Sequence, residues 1–402
     1  MRRKDGTIKA LSKRAQGVTP SATLAISAKA KAMQAEGLDV IGFGAGEPDF
    51  DTPDNIKDAA KDALDAGFTK YTPASGTVEL KNAVAARFQK THGIDYAAEN
   101  VLISCGGKHA LYNFFQAVCD PGDEVIFAAP YWVSYPEMVK LAGGVPVVLE
   151  TEEADNYTLS PDAARAAVTD RTKALIVNSP SNPTGTMYSL ERLEALAELA
   201  LEHDLYVVAD EIYDELVFDN LPFYSLAALR PGMESLTVIF NAVSKTYSMT
   251  GWRVGWTVGA APVVKAMAGI QSHSTSNPTS IAQKAALEAL TGPQDAVAVM
   301  RGAFQERRDL ICGLLDGIED VTYARPQGAF YVFPNFSAHY GRELGGKRIE
   351  SSFDLADYLL EAVQTAVVPG GAFGDDRCIR LSFAASPETI EEGVGRIAAA
   401  LA

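Results

Sequence analysis

The apolar run Val238-Ile239-Phe240 reads as a buried strand, and it leads through Asn241-Ala242-Val243-Ser244 to Lys245. Desolvation disfavours an ammonium, so a lysine among small and apolar residues gives up its proton cheaply. A neutral amine can form a Schiff base with an aldehyde. Taken alone, Lys245 also reads as an ordinary loop lysine at the surface. Three further segments shift that reading, because each brings polar groups to the end of a strand. In open α/β sheets that edge is where ligands bind.

The first is Tyr206-Val207-Val208-Ala209-Asp210, in which Asp210 falls at the carboxyl end of an apolar strand. A carboxylate there could keep a pyridine nitrogen protonated and make the ring an electron sink. Tyr213 is expected one helical turn on, within reach of a phenolic oxygen on such a ring. Asp210 equally suits an N-cap at a strand-to-helix junction. In the second, Ala174-Leu175-Ile176-Val177 runs into Asn178-Ser179-Pro180-Ser181-Asn182-Pro183-Thr184-Gly185. Two prolines and a glycine make this an irregular loop or a plain turn. Asn182 precedes a proline and is biased to an extended conformation that could aim its amide into the crevice. In the third, Val101-Leu102-Ile103-Ser104 passes through Cys105-Gly106-Gly107-Lys108 into a helix. Glycines admit close backbone approach, and free N–H groups at a helix start favour an anion such as phosphate. A tight turn would look the same. The dinucleotide fingerprint is excluded, since its third glycine and its acidic residue are missing.

The elements that must position these groups are short apolar strands alternating with helical patterns from about Pro53 to about Leu290. Thr52 and Pro53 read as N-cap and first residue of a helix with Ile56, Ala59, Ala60, Ala63 and Leu64 on one face. Ser189 caps another, with Leu190, Leu193, Ala197 and Leu201 at helical spacing. Continuous apolar strands between such helices predict an α/β fold with a parallel sheet buried on both faces. Thr291-Gly292-Pro293 is the expected boundary. The division is then 1–50 as an N-terminal arm joining the small domain, 51–290 as the large domain, and 291–402 as the C-terminal small domain. Arg380 and Lys245 would come from different domains, and closure would assemble the site.

A chain of 402 residues suits two or three domains. Its net charge of −16 argues against nucleic acid and anionic membranes as partners. An anionic substrate then needs local positive charge, such as Arg380 and Lys108. No apolar run reaches membrane-spanning length. The start, Met1-Arg2-Arg3-Lys4-Asp5-Gly6, has no apolar segment after it and is not read as a secretory signal. Cys105, Cys119, Cys312 and Cys378 form no paired motif, so free buried thiols in a reducing cytoplasm are expected, not a metal or disulfide set. His109 and His273 read as polar bystanders.

Taken together, the segments resemble the class I aminotransferases of the fold-type I pyridoxal phosphate enzymes. The resemblance spans nearly the whole chain. It includes Ala45-Gly46-Glu47-Pro48-Asp49-Phe50, Tyr71 in Lys70-Tyr71-Thr72-Pro73, and Pro130-Tyr131-Trp132-Val133-Ser134-Tyr135-Pro136. It continues through Lys245, Gly251 and Arg253 to Ile379-Arg380-Leu381-Ser382-Phe383. Gly106-Gly107-Lys108 and Tyr131-Trp132-Val133-Ser134-Tyr135-Pro136 resemble the bacterial aspartate aminotransferase branch. The resemblance implies a large domain with a mostly parallel seven-stranded sheet sandwiched by helices, a smaller α/β domain, pyridoxal 5'-phosphate as cofactor, and a cytoplasmic homodimer.

It also implies roles. Lys245 would be the Schiff-base lysine and proton shuttle, and Asp210 the partner of the pyridine nitrogen. Tyr213 and Asn182 would bond the ring oxygen, and Trp132 would stack on the ring. Arg253, Gly107 and the backbone of Lys108 would bind the phosphate, and Tyr71 would reach the phosphate of the neighbouring subunit. Arg380 would hold the substrate α-carboxylate by a bidentate fork, a geometry lysine cannot supply. Gly46 would approach the substrate through its backbone. The family usually has glycine or serine three residues before the lysine. Here Ala242 stands there, so a hydroxyl contact to the phosphate is lost.

The implied reaction is transamination between an amino acid and a 2-oxo acid, with ping-pong kinetics. A pyridoxal-dependent lyase on the same scaffold would need the same cofactor groups. A cofactor-binding transcriptional regulator would need a DNA-binding module in front, for which the chain before Gly46 is too short. In the matching branch Lys108 and Thr23, in Pro20-Ser21-Ala22-Thr23, would recognise a side-chain carboxylate, favouring aspartate. Aromatic amino acids and prephenate are the alternatives. Thr19 stands where several prephenate-using members carry a basic residue.

Overall fold

The structure, a computed structural model, describes residues 10–402; the start of the chain weighed above as a leader lies outside them. Seven segments pair into one sheet: β1 (Val101–Ser104), β2 (Glu124–Ala129), β3 (Val145–Glu150), β4 (Thr172–Asn178), β5 (Tyr206–Asp210), β6 (Thr237–Ala242) and β7 (Gly255–Val258). Their order in space is β1-β7-β6-β5-β4-β2-β3. From β2 to β6 neighbouring strands are parallel, and β7 runs antiparallel to both β1 and β6. The expected mostly parallel seven-stranded sheet is therefore present. Successive side chains of a strand point to opposite faces, so a strand that is apolar throughout feeds two cores. In β6, Ile239 joins Ile56, Leu80 and Val84 on one side. Its neighbours Val238 and Phe240 join Leu111, Phe114 and Met267 on the other. The edge strand β3 is covered less, and Val145 and Val148 remain exposed.

The helix starts divide into one that held and one that did not. Ser189 caps Leu190–His203 and accepts from Arg192 N–H at 3.2 Å. Leu193 and Ala197 are buried there, while Leu190 and Leu201 lie at the flanks and are exposed. The helix after Pro53 runs Asp54–Asp65, with Pro53 itself at the cap and no side-chain cap bond. Thr52 is used elsewhere: its hydroxyl donates to the Ser248 carbonyl at 2.7 Å and accepts from Trp252 Nε1 at 3.0 Å. Leu64, expected on the buried face, is exposed, whereas Ile56, Ala60 and Ala63 are buried.

A second, three-stranded antiparallel sheet has the order β9-β10-β8, from β8 (Tyr331–Val332), β9 (Val368–Pro369) and β10 (Ile379–Ser382). Helices Asp295–Leu315, Ser352–Val363 and Pro387–Leu401 share its core through Phe304, Leu355 and Ile390. Ile41–Gly42 pairs in parallel with Thr365–Ala366, tying the N-terminal segment to the C-terminal part. Among the described residues no helix is long and apolar enough to cross a membrane, and no acidic, histidine and cysteine cluster could hold a metal ion. All four cysteines are free; three are buried as expected, and Cys105 is half-buried.

Candidate active site

The carboxyl ends of β4, β5 and β6 open on a cavity of about 350 Å³, which β10 reaches from the second sheet. Lys245 arrives on the short helix Val243–Thr246 that follows β6 directly. Its Nζ donates to the Gly46 carbonyl. Burial pulls its pKa down to about 8, so the free amine is accessible near neutral pH.

Asp210 is the last residue of β5 and is buried. Burial raises its carboxyl to about 6, and the hydrogen bond from Tyr135 works in the opposite direction. That bond runs from the Tyr135 hydroxyl to Asp210 Oδ2 at 2.6 Å. The Ile212 N–H gives Oδ1 a longer contact of 3.4 Å. No helix follows Asp210: residues 212–215 form turns. The N-cap reading therefore falls, and Tyr213 comes round on a turn instead of a helix. Its hydroxyl lies 3.1 Å from that of Tyr331, and both rings are buried.

The glycine turn after β1 leads into helix Gly107–Val118, with Gly106 at φ 89°. A Cβ on Gly106 would overlap the Arg253 guanidinium, and one on Gly255 would overlap the Gly107 amide. Two strand ends and a cation are thus packed at contact around a helix start, whose first N–H groups have no intrahelical acceptor. Arg253 donates to the Thr250 carbonyl at 2.7 Å and to the Cys105 carbonyl at 3.4 Å. This arrangement suits a phosphate-sized anion. Lys108 Nζ sits 4.9 Å from the centre of the Trp132 ring. Burial, and then the charge of Arg253, lower its pKa.

Arg380, in β10, is 2 % exposed. Nη1 donates to Asn182 Oδ1 at 3.0 Å and Nη2 to the Gly44 carbonyl at 2.9 Å. The guanidinium lies 4.5 Å over the Tyr331 ring. Its Nε is buried without a hydrogen-bond partner, and burial lowers its pKa. With only two of its five N–H donors used, such a buried cation suits a carboxylate partner. Lys108, Lys245, Arg253 and Arg380 all line the cavity, with Asp210 as the acid among them. In a chain of net charge −16 this pocket gathers positive charge, so it suits small molecules with more than one acidic group.

Residues 38–397 match the family described as aminotransferase class I and II. This chain belongs to that family. It is 50 % identical to an aspartate aminotransferase of Geobacillus stearothermophilus over 96 % of this chain and 98 % of that one. It is 49 % identical to an aspartate/prephenate aminotransferase of Cereibacter sphaeroides over 95 % of this chain and 96 % of that one. Among solved structures, aspartate aminotransferase from Thermus thermophilus with maleate superposes with a TM-score of 0.92. The two are 44 % identical, over 98 % of this chain and 100 % of that one.

Of the residues singled out in the sequence of this aminotransferase, all but one line the cavity. Gly46, Thr23, Gly107, Trp132, Asn182 and Tyr213 join the four cations and Asp210 there. Tyr71 does not; its side chain is 92 % exposed. Among the lining residues that had been given no role, three make contacts with the groups above. Tyr135 fixes Asp210. Asn178 accepts from Asn182 N–H at 2.9 Å and donates to the Asp210 carbonyl at 2.9 Å. Tyr331 supports Tyr213 and Arg380. Tyr135 and Asn178 lay inside segments already marked. Tyr331 gave no signal, because Ala329-Phe330-Tyr331-Val332 reads simply as an apolar strand.

Proposed function

We propose that this aminotransferase moves an amino group between aspartate and a 2-oxo acid, 2-oxoglutarate or oxaloacetate, with pyridoxal 5'-phosphate in the cavity. The observation that carries the reading is the buried Lys245 amine, with a pKa of about 8, sharing one cavity with Asp210 and Arg380. When bound, the cofactor supplies an aldehyde carbon that condenses with amines and a ring that accepts the electron pair released at the substrate α-carbon. The Gly106–Gly107 turn and Arg253 fit its phosphate, with Gly107 and Lys108 offering N–H groups. Trp132 would cover the ring, while Asn182 and Tyr213 would serve its oxygen.

Asp210, with a pKa of about 6, is a carboxylate at neutral pH and would keep a ring nitrogen of the cofactor protonated. Lys245, as a free amine, would take the proton from the substrate α-carbon and carry it onward within the cavity. Arg380 orients the substrate by its α-carboxylate, using the donors it now turns toward Asn182 and its open Nε. The Gly46 carbonyl lies against Lys245 on the substrate side. Lys108 and Thr23 hold the distal carboxylate. Support for an acidic substrate comes from Arg380 and Lys108, the two cavity cations not assigned to the cofactor, and from the relative solved with maleate, a dicarboxylate.

Tyr71 reaches the phosphate of a second subunit, which makes the working unit a homodimer. The described residues up to 50, an N-terminal arm and part of the small domain, join 291–402 in closing on 51–290, a division supported by the pairing of Ile41–Gly42 with Thr365–Ala366. The free thiols fit a cytoplasmic enzyme. The test is borohydride reduction of the yellow protein followed by peptide mapping. The label belongs on Lys245, and Lys245→Ala should keep cofactor non-covalently while losing most turnover. Label on another lysine overturns the assignment. A panel of amino donors, with prephenate among the acceptors, ranks the substrates by kcat/KM.

A further inference from the structure

Tyr71 is 92 % exposed, yet the chain on both sides of it is pinned. Before it, the Ser280 hydroxyl donates to the Phe68 carbonyl at 2.9 Å. After it, two fully buried glutamines grip the chain, Gln271 and Gln283. Gln283 Nε2 donates to Thr72 Oγ1 at 3.0 Å and to the Pro278 carbonyl at 2.9 Å, and its Oε1 accepts from Thr77 N–H at 2.9 Å. Gln271 Nε2 donates to the carbonyls of Ala74 and Ile103, each at 2.7 Å. Its Oε1 accepts from Ser104 Oγ at 2.7 Å and Asn113 Nδ2 at 3.1 Å. Between them, Ile103 N–H donates to the Ser75 carbonyl at 3.0 Å.

A buried carboxamide with its donors and acceptor in use is a stringent tie, because losing one partner strands the others away from water. Such ties stiffen a loop in advance. A side chain it presents then loses little freedom when another molecule covers it. Tyr71 needs that advantage, since nothing among the described residues of its own subunit covers its ring. Gln271 reaches the loop from Ser104, just before its own subunit's Gly106–Gly107 turn, and from Asn113 in the helix that follows that turn.

We propose that Gln271 and Gln283 are positioning residues for the site of a second copy of this chain: they hold the loop Phe68–Thr77 so that Tyr71 projects into the partner's phosphate cradle. One buried amide, Gln271, then braces the anion ends of both sites. The inference rests on the reading that Tyr71 crosses between subunits.

The experiment is a double-mutant cycle on the full-length dimer, reading the dissociation constant of pyridoxal 5'-phosphate by equilibrium dialysis and checking the dimer by sedimentation. Tyr71→Phe removes one hydrogen bond to a charged group and should weaken cofactor binding about tenfold. Gln283→Leu should weaken it roughly threefold to tenfold. The double variant should be no weaker than Tyr71→Phe alone, because both changes remove the same contact. Thr72→Val cuts the Gln283 bond from the loop side and should repeat the result if Gln283→Leu fails to fold. Losses that multiply overturn the role of the glutamines and leave Tyr71 standing. So does a wild-type dissociation constant in Gln283→Leu with only a lower melting temperature. Wild-type cofactor affinity in Tyr71→Phe overturns the crossing of Tyr71 and the inference with it.

Discussion

Two arginines are almost equally buried, and their surroundings differ in one respect. Arg308 is 1 % exposed and is surrounded by acid. Nη1 and Nη2 reach the two Asp219 oxygens at 2.7 and 2.8 Å, and Nε reaches Asp309 at 2.6 Å. Burial works against its charge, but these partners outweigh burial and raise its pKa. Arg380 has neutral acceptors only, and burial lowers its pKa. A neutralised buried cation is part of the scaffold. One left short of a counter-ion is held there by the surrounding structure for an anion that comes and goes.

The largest expected effect tests that contrast directly. Arg380→Leu should lower kcat/KM for aspartate about a thousandfold, as loss of a buried charge pair worth roughly 4 kcal/mol implies. Its melting temperature should not fall, because an uncompensated charge has been removed. Arg308→Leu should do the reverse. Unfolding in urea should show a loss of roughly 3 kcal/mol, moderated because Asp219 and Asp309 remain half in water. Its kcat/KM per folded molecule should stay near the parent value. If the two variants exchange these signatures, the comparison is broken.

A smaller effect sharpens it at the substrate's other end. Lys108 lies over Trp132, with its pKa lowered by burial. Lys108→Ala should reduce kcat/KM for aspartate about tenfold to a hundredfold, from a charge-assisted contact of roughly 1.5–3 kcal/mol. Alanine as donor should be affected much less. Equal losses for both donors would remove the case for an acidic substrate and leave the cofactor chemistry standing.

The smallest effect concerns a buried acid beside the site. Glu211 accepts from the Ser225 hydroxyl at 2.7 Å, its other oxygen has no partner, and burial raises its pKa to about 8. Its unfolded value is 4.5. Between these the folded chain holds a proton that the unfolded chain has lost, so stability falls as pH rises through that window. Glu211→Gln carries no such proton. It should gain on the parent steadily from pH 5 to 8 in urea titrations run at each pH. A gap independent of pH would mean Glu211 is ionised in the fold.

By itself the sequence determined the strands, because runs such as Val101–Ile103 and Val238–Phe240 are apolar without interruption and only a doubly covered sheet accommodates them. It also placed Asp210, Asn182 and Lys245 at strand ends, since polar groups after such runs must emerge at the sheet's edge. Three features were decided only in three dimensions. Thr52 looked like a cap, but a distant loop, Ser248 with Trp252, offered its hydroxyl better partners. Tyr213 looked helical by spacing, yet the chain after Asp210 turns so that the ring can pack against Phe330 and Tyr331. Above all, nothing local marks Arg380 as lacking a counter-ion or Arg308 as possessing one. Acids stand near both in the sequence, at Asp375, Asp376 and Asp309. Asp375 is taken by Arg377, while Asp219, far off in the chain, folds back onto Arg308. Which charge is cancelled depends on contacts between residues tens to hundreds of positions apart, and composition and periodicity do not encode those contacts.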